Sequence, residues 1–316
     1  MSRQLLRIAV VALVSLSSAG MAQAKTRQPN PELDQPETAH FSTGDTPFAG
    51  EFQVAAFNIE RGFHTPEVIA YLQGLQKQNP ALIVLLSECD KNHSRTGDRF
   101  IAKEIAEAMK MDMVFVIEYV ELNDQTPETP ATHGNTILSP FPLTDISVIR
   151  HTEMFSWERW GFLYGQPRKG GVVALGATVN FPGGAKARVY ELHLESNTGN
   201  HGRKVQLQDL VPEMQKFDLP LVLGGDFNSL PHTAPLRAAK ADGLSNAFHK
   251  DCTPTGGCYR INQKNHTLHC LMKIDWILYR GLTELGRSVA PLLAADGTRV
   301  SDHAAVQARF KFEERK

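Results

Sequence analysis

The sequence predicts an α+β fold with a four-layer αββα arrangement, in which two packed β-sheets carry helices on their outer faces. Short apolar runs rich in β-branched residues recur along the chain, which is typical of strands. Fewer segments have helical spacing, and loops rather than complete helical crossovers separate most of the runs. This mixture favours a two-sheet sandwich over a parallel, doubly wound sheet.

Eight apolar runs are predicted to be strands, because each is short and ends at turn-forming or polar residues. In chain order they cover residues 54–59, 82–86, 114–120, 172–179, 189–194, 221–223, 274–279 and 306–312.

Three segments have apolar residues at helical spacing and are predicted to be helices. They cover residues 66–78, 99–111 and 202–217. Pro212 lies inside the third segment and is expected to kink or split it, because proline cannot donate the backbone hydrogen bond that a helix interior requires.

The N-terminus has the pattern of a secretory signal peptide. Arg3 and Arg7 precede an apolar run that is far shorter than the roughly 20 residues of a membrane-spanning helix, and Ala22 and Ala24 follow it. We therefore expect a signal peptide at residues 1–24 and export to the periplasm or the extracellular space. Residues 25–50 are Pro-rich and are expected to form a tether or a loosely packed arm, and residues 51–316 to form one globular domain.

The charge balance limits the kind of partner. The formal net charge is −1 at pH 7, so the chain has no general basic coat for holding polyanions. This weakens the case for tight nonspecific binding of nucleic acid, although a local basic patch is compatible with a neutral average.

The chain contains four cysteines, and an even number in an exported protein permits disulfides. Cys252 and Cys258 flank Thr-Pro-Thr-Gly-Gly, a turn that can bring them together, so we favour a bond between these two. A zinc site is the competing interpretation. It is disfavoured because the sequence has no Cys-x-x-Cys and no His-Glu-x-x-His.

Acids, amides and histidines recur where predicted strands end, which is where loops held by a rigid sheet can bring side chains together. Each such cluster alone also fits a turn, a cap or a solvated strand end. Together they offer oxygen ligands for a hard cation and groups for proton transfer to a phosphodiester. The clusters are Phe57-Asn58-Ile59-Glu60, Leu86-Ser87-Glu88, Leu192-His193-Leu194-Glu195, Gly224-Gly225-Asp226-Phe227-Asn228, Lys273-Ile274-Asp275-Trp276-Ile277 and Ser301-Asp302-His303.

The order of these clusters resembles the endonuclease/exonuclease/phosphatase superfamily, the group that includes DNase I. The likeness covers nearly all of residues 51–312. It implies a DNase I-like sandwich and a Mg²⁺ or Mn²⁺ site at Glu88, with help from Asn58 and Asp302. It also implies that Asp226 orients or deprotonates the attacking water, and that Asn228 holds the phosphate or the nucleophile.

The resemblance implies further contacts with the substrate. His193 and His303 would contact phosphate oxygens and assist protonation of the leaving group, with Asp275 fixing the tautomer of His303. Asn135, Lys169 and Arg203 are candidate phosphate contacts. Pro140 stands where many relatives have arginine, so we expect that phosphate contact either to be missing or to be supplied by Arg168 or Lys169.

These features lead us to expect a metal-dependent phosphodiesterase that acts as a monomer, with no obligate protein partner and with nucleic acid as its substrate. A sphingomyelinase-like phospholipase C is the alternative, and it would be favoured by an exposed aromatic hairpin for docking on a bilayer. Only residues 155–162 can serve, and we favour the view that they form a partly buried loop lining the cleft. A non-catalytic protein that binds a phosphorylated ligand is the alternative of another class.

Overall fold

The computed structural model describes Leu33 and residues 35–125, 129–259 and 269–313. These residues form two packed β-sheets with helices outside them, which confirms the predicted αββα sandwich. The expected signal peptide at residues 1–24 lies outside the described ranges. Within those ranges, no helix has the length and apolar character needed to cross a bilayer.

Fifteen strands are numbered here in chain order. They are β1 (Glu37–Ala39), β2 (Glu51–Arg61), β3 (Leu82–His93), β4 (Arg99–Phe100), β5 (Asp112–Gln125), β6 (Pro130–Ser139), β7 (Leu143–Arg150), β8 (Arg168–Gly170), β9 (Val173–Asn180), β10 (Lys186–His193), β11 (Leu221–Asp226), β12 (Ser245–Asn246), β13 (Asp275–Arg280), β14 (Leu282–Ala290) and β15 (Ala305–Phe312).

The helices are numbered likewise. They are α1 (Thr65–Gln78), α2 (Ile101–Met109), α3 (Trp157–Trp160), α4 (Gly199–Asp209), α5 (Val211–Met214) and α6 (Ala234–Ala241). The third predicted helix is split in two at Leu210, as the position of Pro212 led us to expect. Helix α6 was not predicted, because it is only eight residues long and rich in alanine.

The larger sheet has nine strands. Seven follow the order β1-β5-β6-β3-β2-β15-β14, while β4 pairs with β3 and β8 pairs with β5. Strands β2 and β3 run parallel, and their register places Asn58 beside Ser87. A bulge at residues 87–88 interrupts the pairing of β3 with β6. Bulges commonly re-aim a side chain, and Glu88 lies in this one with φ 63°.

The smaller sheet has six strands in the order β12-β13-β11-β10-β9-β7. Strand β10 runs parallel to β11, and β13 runs antiparallel to it. The register pairs His193 with Asp226, and Asp226 with Asp275. Three predicted site residues therefore lie side by side on neighbouring strands.

The main core lies between the two sheets, and alternation along β2 shows how it is divided. Phe52, Val54 and Ala56 belong to the cluster between the sheets, whereas Phe57 and Ile59 belong to a second cluster with α1 and α2. Because successive strand side chains point to opposite faces, β2 is buried on both of its sides. Helices α4 and α5 contribute Leu207, Leu210 and Met214 to the main core cluster.

One glycine permits the close pairing that carries the site. Gly225 adopts φ 144°, and a Cβ at this position would lie 1.9 Å from the carbonyl oxygen of Leu192 on β10. Any side chain there would push β11 away from β10. The glycine therefore fixes the distance between β10 and β11 at the site. His193 follows Leu192 on β10, and Asp226 follows Gly225 on β11.

Residues 25–50 were expected to be a tether or loosely packed arm, but the part described by the structure is attached to the domain. Strand β1 pairs with β5, and Asp112 accepts hydrogen bonds from the backbone nitrogens of Phe41 and Ser42 at 3.1 and 3.0 Å. Phe48 stacks on Phe181 with 4.6 Å between ring centroids. None of residues 35–50 is buried, so this part is a loosely packed arm that a short edge strand attaches to the domain.

The predicted Cys252–Cys258 disulfide is wrong. Cys258 is bonded to Cys270, while Cys252 is exposed and free and Cys89 is buried and free. The physical reason is the pairing of the residues next to the bonded cysteines, since Tyr259 and His269 exchange two backbone hydrogen bonds of 2.8 and 2.9 Å. The sequence did not indicate that pairing, because Cys270 lies 12 residues from Cys258 whereas Cys252 lies close to it across a Pro- and Gly-containing turn.

Candidate active site

The predicted catalytic side chains meet at one end of the sandwich, between the two sheets. Asp226 lies at the centre and is almost fully buried. Its Oδ2 accepts hydrogen bonds of 3.3 Å from Nδ2 of Asn58 and of Asn228, and lies 3.6 Å from Nε2 of His303 and 3.9 Å from Nε2 of His193. Both imidazoles therefore face the same carboxylate.

Asn228 is held rigidly beside Asp226. Its backbone nitrogen donates to Oδ1 of Asp226 at 2.8 Å, and its Nδ2 donates to the carbonyl oxygen of Leu194 at 2.9 Å. Burial raises the pKa of Asp226 to about 6, with the nearby charge of His303 opposing that rise. At neutral pH the Asp226 carboxylate is consequently ionised and close to the pKa range of a general base.

His303 is oriented as predicted. Its Nδ1 lies 3.0 Å from both carboxylate oxygens of Asp275, which can only accept, so Nδ1 donates and Nε2 is directed toward Asp226. Burial alone would lower the pKa of His303, but the charges of Asp275 and Asp226 outweigh it and raise the pKa well above the ordinary value. The protonated form of His303 is therefore favoured.

His193 has an equivalent partner that the sequence did not indicate. Oε2 of Glu118, on β5 and fully buried, lies 3.0 Å from Nδ1 of His193. Burial opposes the charge on His193, but Glu118 and then Asp226 raise its pKa to about 10. One signal was available, since Glu118 interrupts the apolar run of β5 as Asp275 interrupts that of β13.

Glu88 lies at the open side of the site and is already paired. Nη1 of Arg61 donates to Oε2 of Glu88 at 2.5 Å and lies 2.9 Å from Nδ1 and 3.1 Å from Nε2 of His133. Burial favours a neutral Glu88, but the charges of Arg61, His193 and His303 lower its pKa to about 2. Arg61 and His133 were not predicted to be site residues.

The donor atoms of this region suit a hard, oxygen-binding cation better than a softer metal such as zinc. Glu88, His133 and His193 place ligand atoms within 4.8 Å of one another, as do Asp226, Asp275 and His303. In the first group, however, both ring nitrogens of His133 face Arg61, and Nδ1 of His193 is bonded to Glu118. Oε1 of Glu88, 4.0 Å from Nε2 of His193, is left as an ionised oxygen donor. Oxygen donors of this kind fit Mg²⁺ or Mn²⁺.

The two other predicted metal ligands are placed differently. Oδ1 of Asn58 accepts from the backbone nitrogen of Glu60 at 3.1 Å, and its Nδ2 reaches Asp226. Asp302 belongs to neither compact group, and its backbone nitrogen donates to Oε2 of Glu60 at 2.9 Å. Burial and then the charge of Asp302 raise the pKa of Glu60 to about 7. Of the three, Glu88 has the position best suited to a cation.

The three candidate phosphate contacts are not brought together. Asn135 is fully buried, and its Nδ2 donates to Oε1 of Glu118 at 2.9 Å, so it holds the carboxylate that orients His193. Arg203 donates from Nη1 to the carbonyl oxygens of Glu195 and Ser196, both at 3.1 Å. Lys169 is exposed on β8.

The aromatic segment, which comprises residues 155–164, flanks the site. Trp157 is buried, and its Nε1 donates to Oε2 of Glu195 at 3.0 Å, where the hydroxyl of Tyr119 also donates at 3.2 Å. The guanidinium of Arg168 lies 5.2 and 5.3 Å from the ring centroids of Trp157 and Tyr119. Arg168 also pairs with Glu121 at 3.1 Å, so its charge is already partnered.

Comparison with known proteins agrees with this architecture. The sequence model of the Endonuclease/Exonuclease/phosphatase family matches residues 55–303. No curated protein matches the sequence.

Solved structures share the fold at low identity. The human Nocturnin catalytic domain, solved with a bound sulfate anion, is 18% identical with a TM-score of 0.59, over 88% of this chain and 98% of that one. A family protein from Bacteroides thetaiotaomicron is 17% identical with a TM-score of 0.59, over 84% and 98%. One from Beutenbergia cavernae is 16% identical with a TM-score of 0.56, over 84% and 72%.

Proposed function

Because the chain belongs to the Endonuclease/Exonuclease/phosphatase family, whose members hydrolyse phosphoesters, we propose that it is an exported, divalent-metal-dependent phosphodiesterase. The observation that carries the proposal is the convergence of His193 and His303 on Asp226. Each imidazole is oriented by its own buried carboxylate, and the pKa of each is raised above its ordinary value beside a carboxylate whose pKa is about 6. This combination supplies an acid and a base at one point.

Glu88, with Asn58 next to it on the neighbouring strand, would hold the cation. When bound, Mg²⁺ or Mn²⁺ supplies charge neutralisation to a phosphate oxygen. Arg61 now neutralises Glu88, so its guanidinium competes with a cation for the same carboxylate. The Asp302 carboxylate is a further candidate for the ion, on the strength of the family resemblance alone.

The remaining steps belong to the chain's own residues. Asp226 accepts a proton from the attacking water, whose oxygen forms the new bond to phosphorus while the ester P–O bond breaks. The departing oxygen takes a proton from His303 or His193, so each turnover consumes one water and no other reactant. Asn228, fixed by Asp226 and Leu194, is placed to hold the water or the phosphate.

Export and a monomeric state are also proposed. Export is supported by the signal-peptide pattern at residues 1–24 and by the Cys258–Cys270 disulfide, because disulfides persist in oxidising compartments. Nucleic acid remains the substrate predicted from the family resemblance. The surface around the site favours another substrate class.

The test is a hydrolysis panel with the mature chain. DNA, RNA, sphingomyelin vesicles, a soluble phosphodiester and phosphomonoesters are incubated with Mg²⁺, with Mn²⁺ and with EDTA. We expect cation-dependent hydrolysis of a phosphodiester and its loss in Asp226→Asn. Saturable binding of a phosphorylated ligand without turnover under any cation would instead support the non-catalytic alternative.

A further inference from the structure

Exposed apolar side chains are concentrated at the catalytic end of the molecule. Within the described residues, ten large hydrophobic side chains are exposed, and nine of them lie on β5 beyond Glu118 or in the loops next to the same ends of β2, β8, β11 and β13. We call these nine the apolar rim: Phe63, Leu122, Trp160, Phe162, Leu163, Tyr164, Leu230, Leu271 and Met272. The tenth, Leu285, lies on β14 at an outer edge of the larger sheet.

The most exposed part of the rim is held firmly in place. Phe162 and Leu163 are 62% and 67% exposed, although Trp157 in the same segment is buried and bonded to Glu195. Tyr164 packs against Trp157 with 5.5 Å between ring centroids. The expected burial of the aromatic loop thus applies to Trp157, while the turn that follows it presents its apolar side chains to solvent.

The rest of the rim borders the site from other directions. Leu271 is 58% exposed and adjoins Met272, whose backbone bridges to Gly256, and Gly256 also bridges to His303. Leu230 follows Asn228 by two residues, and Phe63 follows Arg61 by two. Leu122 is linked to the residues that follow the aromatic segment, because its backbone nitrogen donates to the carbonyl oxygen of Pro167.

This surface fits a bilayer better than a nucleic acid. Single exposed apolar residues are ordinary, but a set that surrounds an active site indicates an apolar carrier of the substrate. Five of the nine are Leu or Met, which do not stack on bases as aromatic rings do. The cations deeper in the site, Arg61 and Arg168, are paired with Glu88 and Glu121 rather than free for a polyanion.

Two exposed cations lie within or next to the aromatic segment. Arg159 lies over the ring of Trp160, 5.0 Å from its centroid, and Lys169 is exposed on β8. Aromatic side chains next to basic ones are typical of segments that enter the headgroup region of a membrane, where anionic phosphates meet acyl chains. Arg159 and Lys169 therefore offer two cationic contacts to phosphate headgroups, next to one exposed acid, Glu158.

We propose that the apolar rim docks on a phospholipid bilayer and that the phosphodiester of a lipid headgroup is the substrate, which for its chemistry rests on the proposed function above. Docking in this orientation directs Asp226, His193 and His303 at the headgroup layer. A headgroup reaches the site without leaving the membrane, because rim and site share one end of the sandwich.

The experiment measures binding and turnover separately. The mature chain is floated with vesicles of phosphatidylcholine and sphingomyelin, in EDTA so that turnover does not interfere. We expect the double variant Phe162→Ser/Leu163→Ser to bind vesicles at least about tenfold more weakly, because two apolar side chains no longer leave water on docking. Leu285→Ser is the matched control and should bind like the wild type.

Turnover then identifies the substrate. With Mg²⁺, headgroup release from vesicles should fall with the loss of binding in the double variant, while a soluble phosphodiester is hydrolysed at the wild-type rate. Wild-type chain that does not float, or a double variant that floats normally, would overturn the docking proposal. So would a rim-dependent loss of DNA binding or of self-association in place of vesicle binding. Failure to hydrolyse every phosphodiester, with normal flotation, would instead count against the proposed function.

Discussion

Oε2 of Glu118 lies 3.0 Å from Nδ1 of His193, and the two residues belong to different sheets. The second pair has the opposite arrangement, because Asp275 lies on the smaller sheet and His303 lies two residues before β15 of the larger one. Each imidazole is thus oriented by a carboxylate from across the sandwich. The site depends on the packing of the sheets as well as on the residues themselves.

Replacing Glu118 with Gln should slow turnover. The amide cannot stabilise a protonated His193, and it leaves the tautomer of the ring less fixed. We expect a loss of about ten- to a hundredfold in kcat with a smaller change in KM. The measurement is steady-state hydrolysis of a soluble phosphodiester across a range of pH. The alkaline limb of the pH–rate profile should lie at lower pH in the variant than in the wild type.

Glu191→Gln is the matched control for that variant. Glu191 is another buried carboxyl near His193, but it bonds to Ser87 Oγ at 2.7 Å and not to an imidazole. Burial raises its pKa well above the ordinary value, which favours the neutral form, so the amide is a close substitute. An equal loss of turnover in both variants would show that Glu118 acts only through packing.

The His193–Glu118 pair should also make stability depend on pH. The pKa of His193 is raised from 6.5 to about 10, so the stabilisation is fully present below 6.5 and is lost as pH rises through about 10. The free energy of unfolding of the wild type should therefore fall across this range. Urea titrations at several pH values should show a smaller fall in Glu118→Gln, and identical slopes would contradict the assignment.

Replacing His303 with Ala should lower turnover by on the order of a hundredfold or more, the scale of a lost acid–base group. Asp275→Asn should also slow turnover while the fold persists, because Asp275 orients the ring. Turnover and melting temperature are measured together. A His303 variant that melts early but turns over normally when folded would identify His303 as a structural residue.

Removal of divalent cations should abolish activity. We expect EDTA to stop hydrolysis and Mg²⁺ or Mn²⁺ to restore it, since Glu88 offers an ionised oxygen ligand. Binding of Mn²⁺, followed by electron paramagnetic resonance, should weaken at least about tenfold in Glu88→Gln, and should be unchanged in Glu107→Gln on the exposed face of α2. Full activity in excess chelator would disprove the metal requirement.

The disulfide assignment is open to a direct test. Peptide mapping without reductant should recover Cys258 joined to Cys270 and leave Cys252 open to alkylation. Cys270→Ser should lower the free energy of unfolding by about 2 to 4 kcal/mol, because the unfolded chain regains the freedom that the loop removes. Cys252→Ser should leave stability unchanged. A recovered Cys252–Cys258 peptide would restore the pairing that the sequence suggested.

Much of the architecture followed from local patterns. All eight predicted strands are present, because apolar β-branched runs must be buried whatever their neighbours are. Strand β6 was missed, since Pro130, His133 and Gly134 make it look like a loop. It forms because it pairs with both β3 and β5, which is a property of its neighbours and not of its own sequence.

The site divides in the same way. Asp226, Asp275 and His303 stand at strand ends in an ordered set of motifs, so the sequence by itself determined that a phosphoester site of this family was encoded. Glu118 and Arg61 belong to no such motif. Only the packing of the sheets shows that Glu118 orients His193 and that Arg61 pairs with Glu88.

The surface around the site was likewise decided by the tertiary structure. The sequence singled out residues 155–162 and favoured a partly buried loop lining the cleft over a hairpin that faces a membrane. Packing buries Trp157 and leaves Phe162 exposed. The physical reason is that a local pattern records which side chains need burial, whereas distances between strands determine which of them obtain it and which charges meet.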